Sequence, residues 1–124
     1  MLTHNGDSGS QDKASKIEGY IMTQYADLAQ TLKDTPMGAS NLLDQTVIYG
    51  ISEQGDNPHD HNMRDYHIVL MGHAGGQIKG NRHIRLVGRK VTELMLTLQQ
   101  VMGMKVTSFG SWDNTSKTMP EALT

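Results

Sequence analysis

Two apolar runs separated by a polar stretch set the strongest limit on how this chain can fold. Val47-Ile48-Tyr49-Gly50-Ile51 leads in and Ile68-Val69-Leu70-Met71 leads out. Both are short, rich in β-branched or bulky residues and almost unbroken in apolarity, as buried strands of parallel sheets are. The stretch from Ser52 to His73 holds four of the six histidines, interleaved with Glu53, Asp56, Asp60 and Asp65. Imidazoles and carboxylates are thus concentrated at the end of an expected buried strand, where open sheets tend to place sites.

The flanking segments read as helices. Ala14, Ile17, Ile21, Tyr25, Leu28 and Leu32 recur every three or four positions, which marks one face of an amphipathic helix. Ser8-Gly9-Ser10-Gln11 has capping-box spacing, and Ser15 with Glu18 offers a later start. Asp34-Thr35-Pro36-Met37-Gly38 ends that helix, because proline lacks a donor and biases its predecessor away from helix. Asn41 to Asp44 reads as a short turn, Thr46 to Ile51 as the first strand and His67 to Met71 as the second. Gly72, Gly75, Gly76 and Gly80 mark a bend, and His83 to Val87 is expected as a third, shorter strand. Val91 to Met102 is the second helix, with Val91, Leu94, Met95, Leu98, Val101 and Met102 on its apolar side and Gly103 as a stop. Val106 to Phe109 is expected as a brief strand, and the chain from Gly110 onward as a polar, loosely held tail.

This alternation of helices and strands predicts an α/β fold. The sheet is thin and both helices look one-sided, as in a layer of a larger domain. The expected organisation is therefore residues 1–112 as the C-terminal portion of a larger α/β domain, followed by a polar tail at 113–124. A chain of 124 residues with net charge −2 creates no field that draws it to nucleic acid or to an anionic membrane. No run approaches the roughly 18 apolar residues of a membrane span. The first twenty residues have no basic start followed by an apolar stretch, so no signal peptide is visible. Cysteine is absent, which excludes disulfides and thiolate metal sites.

His59-Asp60-His61 places two imidazoles on the same side of an extended chain, within reach of one ion. Glu53, at the first strand's end, would face the same crevice. Imidazole nitrogen and carboxylate oxygen are ligands that zinc and manganese accept. The same spacing also occurs in solvated loops, and both readings stay open. His67 reads as a half-buried polar residue and His73 as a turn histidine. Lys79, Arg82, Arg85, Arg89 and Lys90 could bind an anion, although a solvated hairpin accounts for them more simply. The glycines match neither the dinucleotide fingerprint nor a P-loop. No cysteine, no Gly-x-Ser-x-Gly elbow and no serine with a nameable base supports nucleophilic catalysis.

Several segments in order resemble one family. They are Leu42-Leu43-Asp44-Gln45-Thr46-Val47-Ile48-Tyr49-Gly50, His59-Asp60-His61-Asn62, Ile68-Val69-Leu70-Met71-Gly72, and Gly75 through His83. Leu94 to Gly103 and Ser108-Phe109-Gly110 complete the set. Together, over residues 2–112, they resemble the C-terminal part of the bacterial family called domain of unknown function 1552. Members of that family are exported, often with twin-arginine signals, and are several times longer. The resemblance implies a periplasmic or extracellular location and a missing N-terminal half. That family is in turn distantly similar to the alkaline phosphatase-like superfamily of phosphatases, sulfatases and phosphoglycerate mutases.

The superfamily resemblance implies further roles. His4, with Asp7, would take the place of the superfamily's first metal-binding segment. Glu53 would stand at the strand end, and His59 or His61 on the last metal loop. On a hydrolase reading of the chain, rather than from the resemblance, Arg82 or Arg85 would hold a small anionic ester. The strand end here reads Glu53-Gln54 where the superfamily has Asp-His, so one imidazole ligand is missing. Two functions are expected from this resemblance. One is an exported metal-dependent hydrolase of phosphate or sulfate esters using zinc or manganese. The other is a non-catalytic exported protein that keeps the scaffold for binding.

Overall fold

A computed structural model describes residues 7–53, 55 and 65–123. The chain is a mixed α and β structure with three α-helices and two small antiparallel sheets among the described residues. Helix α1 runs Ser8–Asp34. Its N-cap is Asp7, whose carboxylate accepts from the Ser10 amide at 2.8 Å. That amide bond is the first cause holding the Asp7 carboxyl below its usual range. Cap and helix start thus both lie one residue earlier than the Ser8 box would place them, because the Asp7 carboxylate is a strong acceptor for the orphan amides of the first turn. At the far end Thr35 is extended and Pro36 follows, as its sequence requires.

Strands β1 (Pro36–Met37) and β2 (Ser40–Asn41) form a minimal hairpin around Gly38, which has φ +62°. Helix α2, Leu42–Gln45, is a single turn capped by Asn41, whose side chain accepts from the Asp44 amide at 3.0 Å. Strands β3 (Ile48–Ile51) and β4 (Ile68–Met71) then pair with Ile48 opposite Met71 and Ile51 opposite Ile68. Their pairing is antiparallel, where parallel strands were expected. Apolarity reports burial but not direction, and consecutive strands can pair antiparallel without a crossover helix. Tyr25 of α1 covers this hairpin. A Cβ on Gly50 would stand 3.1 Å from the Tyr25 ring, so glycine there admits the close approach.

The segment from His83 to Val87, expected as a strand, is irregular and has no ladder partner, and Val87 is 82% exposed. Helix α3, Val91–Val101, follows. It closes with a Schellman turn: Gly103, at φ +84°, donates to the Gln100 carbonyl at 2.9 Å, and Met104 donates to Gln99 at 3.0 Å. The expected brief strand at Val106–Phe109 reduces to one bridge between Phe109 and Thr115.

Of the stretch from Gly110 onward, expected to be loosely held, residues 111–114 are exposed but Thr115, Met119 and Ala122 are buried. Met119 and Ala122 join Ala74, Ile78, Leu94, Leu98 and Val101 in the core cluster, with Leu70, Leu86 and Leu123 against it. A 3-10 turn at Pro120–Ala122 seats these side chains. Helix α3 is consequently covered on two sides, not one. Leu96 is fully buried, whereas Met102, expected on the apolar face, is exposed. Helix α1 differs: only Ser10 is buried along it, and Ile17, Tyr20, Ile21, Met22 and Leu28 are exposed.

Thr97 links α3 to the C-terminal segment. Its hydroxyl donates to the Glu93 carbonyl at 2.7 Å and accepts from the Met119 amide at 2.7 Å. Thr97→Val keeps the shape but leaves a buried amide without an acceptor. We expect a loss of about 1–3 kcal/mol, read as a lower urea midpoint with an unchanged slope.

Candidate functional site

The β3–β4 hairpin fixes where the histidine-rich segment leaves and returns. Beyond the last ladder pair, the Ser52 amide donates to the His67 carbonyl at 3.3 Å. Glu53 is exposed at the end of β3, and His67 is exposed opposite it, not half-buried as expected. His4, His59 and His61 lie outside the described residues. Among the described residues no three His, Asp or Glu side chains gather as a metal site. Asp7, the expected companion of His4, has its carboxylate on the α1 cap.

The basic cluster is largely tethered, where a solvated hairpin was the simpler expectation. Arg82 donates to the Lys79 carbonyl at 3.0 Å, to Glu121 at 3.4 Å and to Ala122 at 3.1 Å. Arg89 donates to the Glu93 carboxylate at 2.5 Å, to the Glu121 carboxylate, and to the Thr118 carbonyl at 2.7 Å. Lys90 pairs with Asp113. These cations hold the C-terminal segment in place. Arg85 is exposed on the irregular segment before α3.

The described residues bring together a different pair. The His73 Nδ1 lies 3.0 Å from Asp44 Oδ1, although the two are 29 residues apart. The backbone explains how. After β4 the chain turns at Gly72 and lays its next amides on the carbonyls left open at the end of α2. His73 donates to Leu43 at 3.4 Å, Ala74 to Thr46 at 3.3 Å and Gly75 to Asp44 at 2.7 Å. The His73 carbonyl in turn accepts from Gly76 at 2.9 Å and from Ile78 at 3.0 Å. Buried Ala74 adopts φ +47° to make this bend. His73 is therefore carried on a fixed loop and not on a loose turn.

Asp44 is fixed as well. Its second oxygen accepts from the Ser40 hydroxyl and from Asn41 Nδ2 at 2.9 Å. The Ser40 hydroxyl, then the His73 ring, hold the Asp44 carboxyl below its ordinary range. An ionised Asp44 takes a proton-bearing Nδ1, which leaves Nε2 as the outward nitrogen. It looks toward Gly80, where an added Cβ would stand 3.5 Å away. A depression of about 610 Å³ opens here, lined by His73, Gly76, Gln77, Ile78, Lys79, Gly80 and Leu123. The one sequence signal for this pair was the glycine run around His73. Nothing local in sequence names Asp44 as its partner.

Glu53 and His73 stand beyond opposite ends of the hairpin, whose ladder from Ile48 to Ile51 itself spans roughly 10 Å at about 3.4 Å per residue. The structure thus separates Glu53 from the His73 pair. No protein-family model matches this chain, and neither a curated protein nor a solved structure does.

Proposed function

We propose that this chain is the C-terminal portion of an exported metal-dependent hydrolase of phosphate or sulfate esters, with the β3–β4 connection as its metal-binding element. The observation that supports this reading is the pinned base of that connection. The Ser52 to His67 hydrogen bond, continuous with the Ile51–Ile68 pair, holds Ser52 beside His67 at the end of the hairpin, with Glu53 next in the chain. A loop with its ends already held loses less entropy when its side chains gather on an ion.

Two imidazoles from His59 and His61 with the Glu53 carboxylate match the His₂-carboxylate donor set of open zinc sites, and His4 would add a ligand. A bound zinc or manganese would supply Lewis acidity and lower the pKa of coordinated water or of a hydroxyl nucleophile. The chain's own residues would hold the cation, and exposed Arg85 would meet the ester anion. Arg82 already spends Nε and both terminal nitrogens on backbone carbonyls. The nucleophile would come from the N-terminal half of the complete polypeptide.

A second reading is a non-catalytic exported binding protein on the same scaffold. It is favoured by Glu53-Gln54 standing where the superfamily has Asp-His, and by the exposed apolar residues of α1, which suit contact with another surface.

The test is metal content of the complete polypeptide after purification, with zinc and manganese both supplied. About one ion per chain is expected in the wild type, falling at least tenfold in His59→Ala/His61→Ala and less steeply in Glu53→Gln. Unchanged stoichiometry in the double variant removes the loop from the proposal. Turnover of an aryl phosphate or aryl sulfate that the same double variant abolishes supports the hydrolase. Metal binding without turnover supports the binding protein.

A further inference from the structure

We infer that the depression beside His73 is a second site, independent of metal, that binds a tetrahedral oxyanion, free or carried on a small organic ester. Three features of the structure converge on this. First, the imidazole is oriented before any ligand arrives. Asp44 Oδ1 holds Nδ1 at 3.0 Å, and the His73 backbone is fixed on both sides by bonds to Leu43, Gly76 and Ile78. A ring held this way presents Nε2 in one direction, as orienting carboxylates do in acid–base pairs.

Second, Asp44 is not one of the residues that line the opening. Its other oxygen is occupied by Ser40 and Asn41 on the α2 side. A protonated His73 therefore offers an Nε2–H donor to an anion without a free carboxylate oxygen beside it. Lys79 also lines the depression, and its ammonium would add a second positive group on an anion bound there. A tetrahedral oxyanion has acceptors enough for both and suits charge-assisted hydrogen bonds.

Third, there is room at Nε2. Gly80 carries no side chain at the position facing it. The depression is open to solvent, so an anion can reach Nε2 directly. Ile78, buried, and Leu123 give it an apolar part on which an ester's organic group could rest. The Gln77 amide nitrogen is committed to the Val101 carbonyl at 3.0 Å, so it anchors the rim to α3.

The experiment is a phosphate titration followed by the histidine ring resonances in long-range ¹H–¹⁵N spectra. It is run on the full chain with a chelator present, at mildly acidic pH. The chelator removes any metal, so the result is independent of the β3–β4 loop. A saturable shift of His73 is expected while His67 and His83 stay still. His73→Gln is expected to weaken phosphate binding by about tenfold or more, and Lys79→Met by about threefold or more. Gly80→Ala, which crowds Nε2 without demanding a special φ, is expected to weaken it without moving the melting temperature. Phenyl phosphate binding more tightly than inorganic phosphate assigns the site to an ester, and equal affinity assigns it to the free anion. Equal, non-saturating shifts in His67, His73 and His83, or unchanged affinity in His73→Gln, overturn the inference.

Discussion

Gly72→Ala is expected to destabilise the protein by about 3 kcal/mol or more, with a melting temperature lowered by about 10 °C or more. The cause is steric and is compounded by backbone strain. Gly72 has φ +100°, and a Cβ there would stand 2.1 Å from the Thr46 carbonyl oxygen and 2.9 Å from that of Leu43. Both obstacles are backbone atoms, so no side chain can rotate away. Those carbonyls also accept from Ala74 and His73. Relieving the clash therefore costs the bonds that dock the 72–78 loop on α2. Thermal unfolding gives the magnitude, and hydrogen exchange of the Ala74 and Gly75 amides gives the place. A variant with wild-type melting and wild-type protection of these amides would show that the loop does not depend on this contact.

Arg89→Ala is expected to lower the urea midpoint of unfolding clearly, though by less than loss of a fully buried pair would, because the arginine side chain is 26% exposed. Its guanidinium meets Glu93, whose side chain is only 8% exposed, together with Glu121 and the Thr118 carbonyl. Removal leaves the Glu93 carboxylate nearly buried without its partner. The pH dependence identifies the cause. The hydrogen bond from Arg89 comes first in holding the Glu93 carboxyl below the ordinary 4.5, against the opposing effect of burial. A carboxyl lowered on folding adds stability above its unfolded pKa. That contribution falls away as pH drops from about 4.5 through the folded value. Wild type should lose stability over this interval, and Arg89→Ala should lose less there, because burial without the arginine no longer favours the ionised form. Urea midpoints between neutral and acid pH measure this. Parallel profiles for the two proteins would assign the acid sensitivity to other carboxylates.

Some of this fold was legible in the residues and some was not, for physical reasons. The three-to-four period from Ala14 to Leu32, cut by Pro36, located α1, and Gly103 located the end of α3. Periodicity reports which residues share a face, and caps report where a helix must stop. The two apolar runs located β3 and β4 but not their direction, because antiparallel and parallel neighbours bury the same side chains. The C-terminal segment was misread because its attachment is not periodic. Met119 and Ala122 are isolated apolar positions, and the bonds from Arg82 and Arg89 reach partners 29 to 40 residues away. The candidate site divides in the same manner. Glu53 was placed by its position at the end of a strand. The partnership of His73 with Asp44 depends on a loop folding back over a helix end, which no local pattern encodes.

The packing of residues 115–123 against α3 has a consequence for synthesis. A chain emerges N-terminus first. Leu94, Leu98 and Val101 therefore leave the ribosome before Met119 and Ala122, the side chains that cover them. Until those residues emerge, Ala74, Ile78 and Leu70 are there to pack against this helix, but the flank that Met119 and Ala122 will cover stays open. That interval is when a holding chaperone would find its best target on this polypeptide.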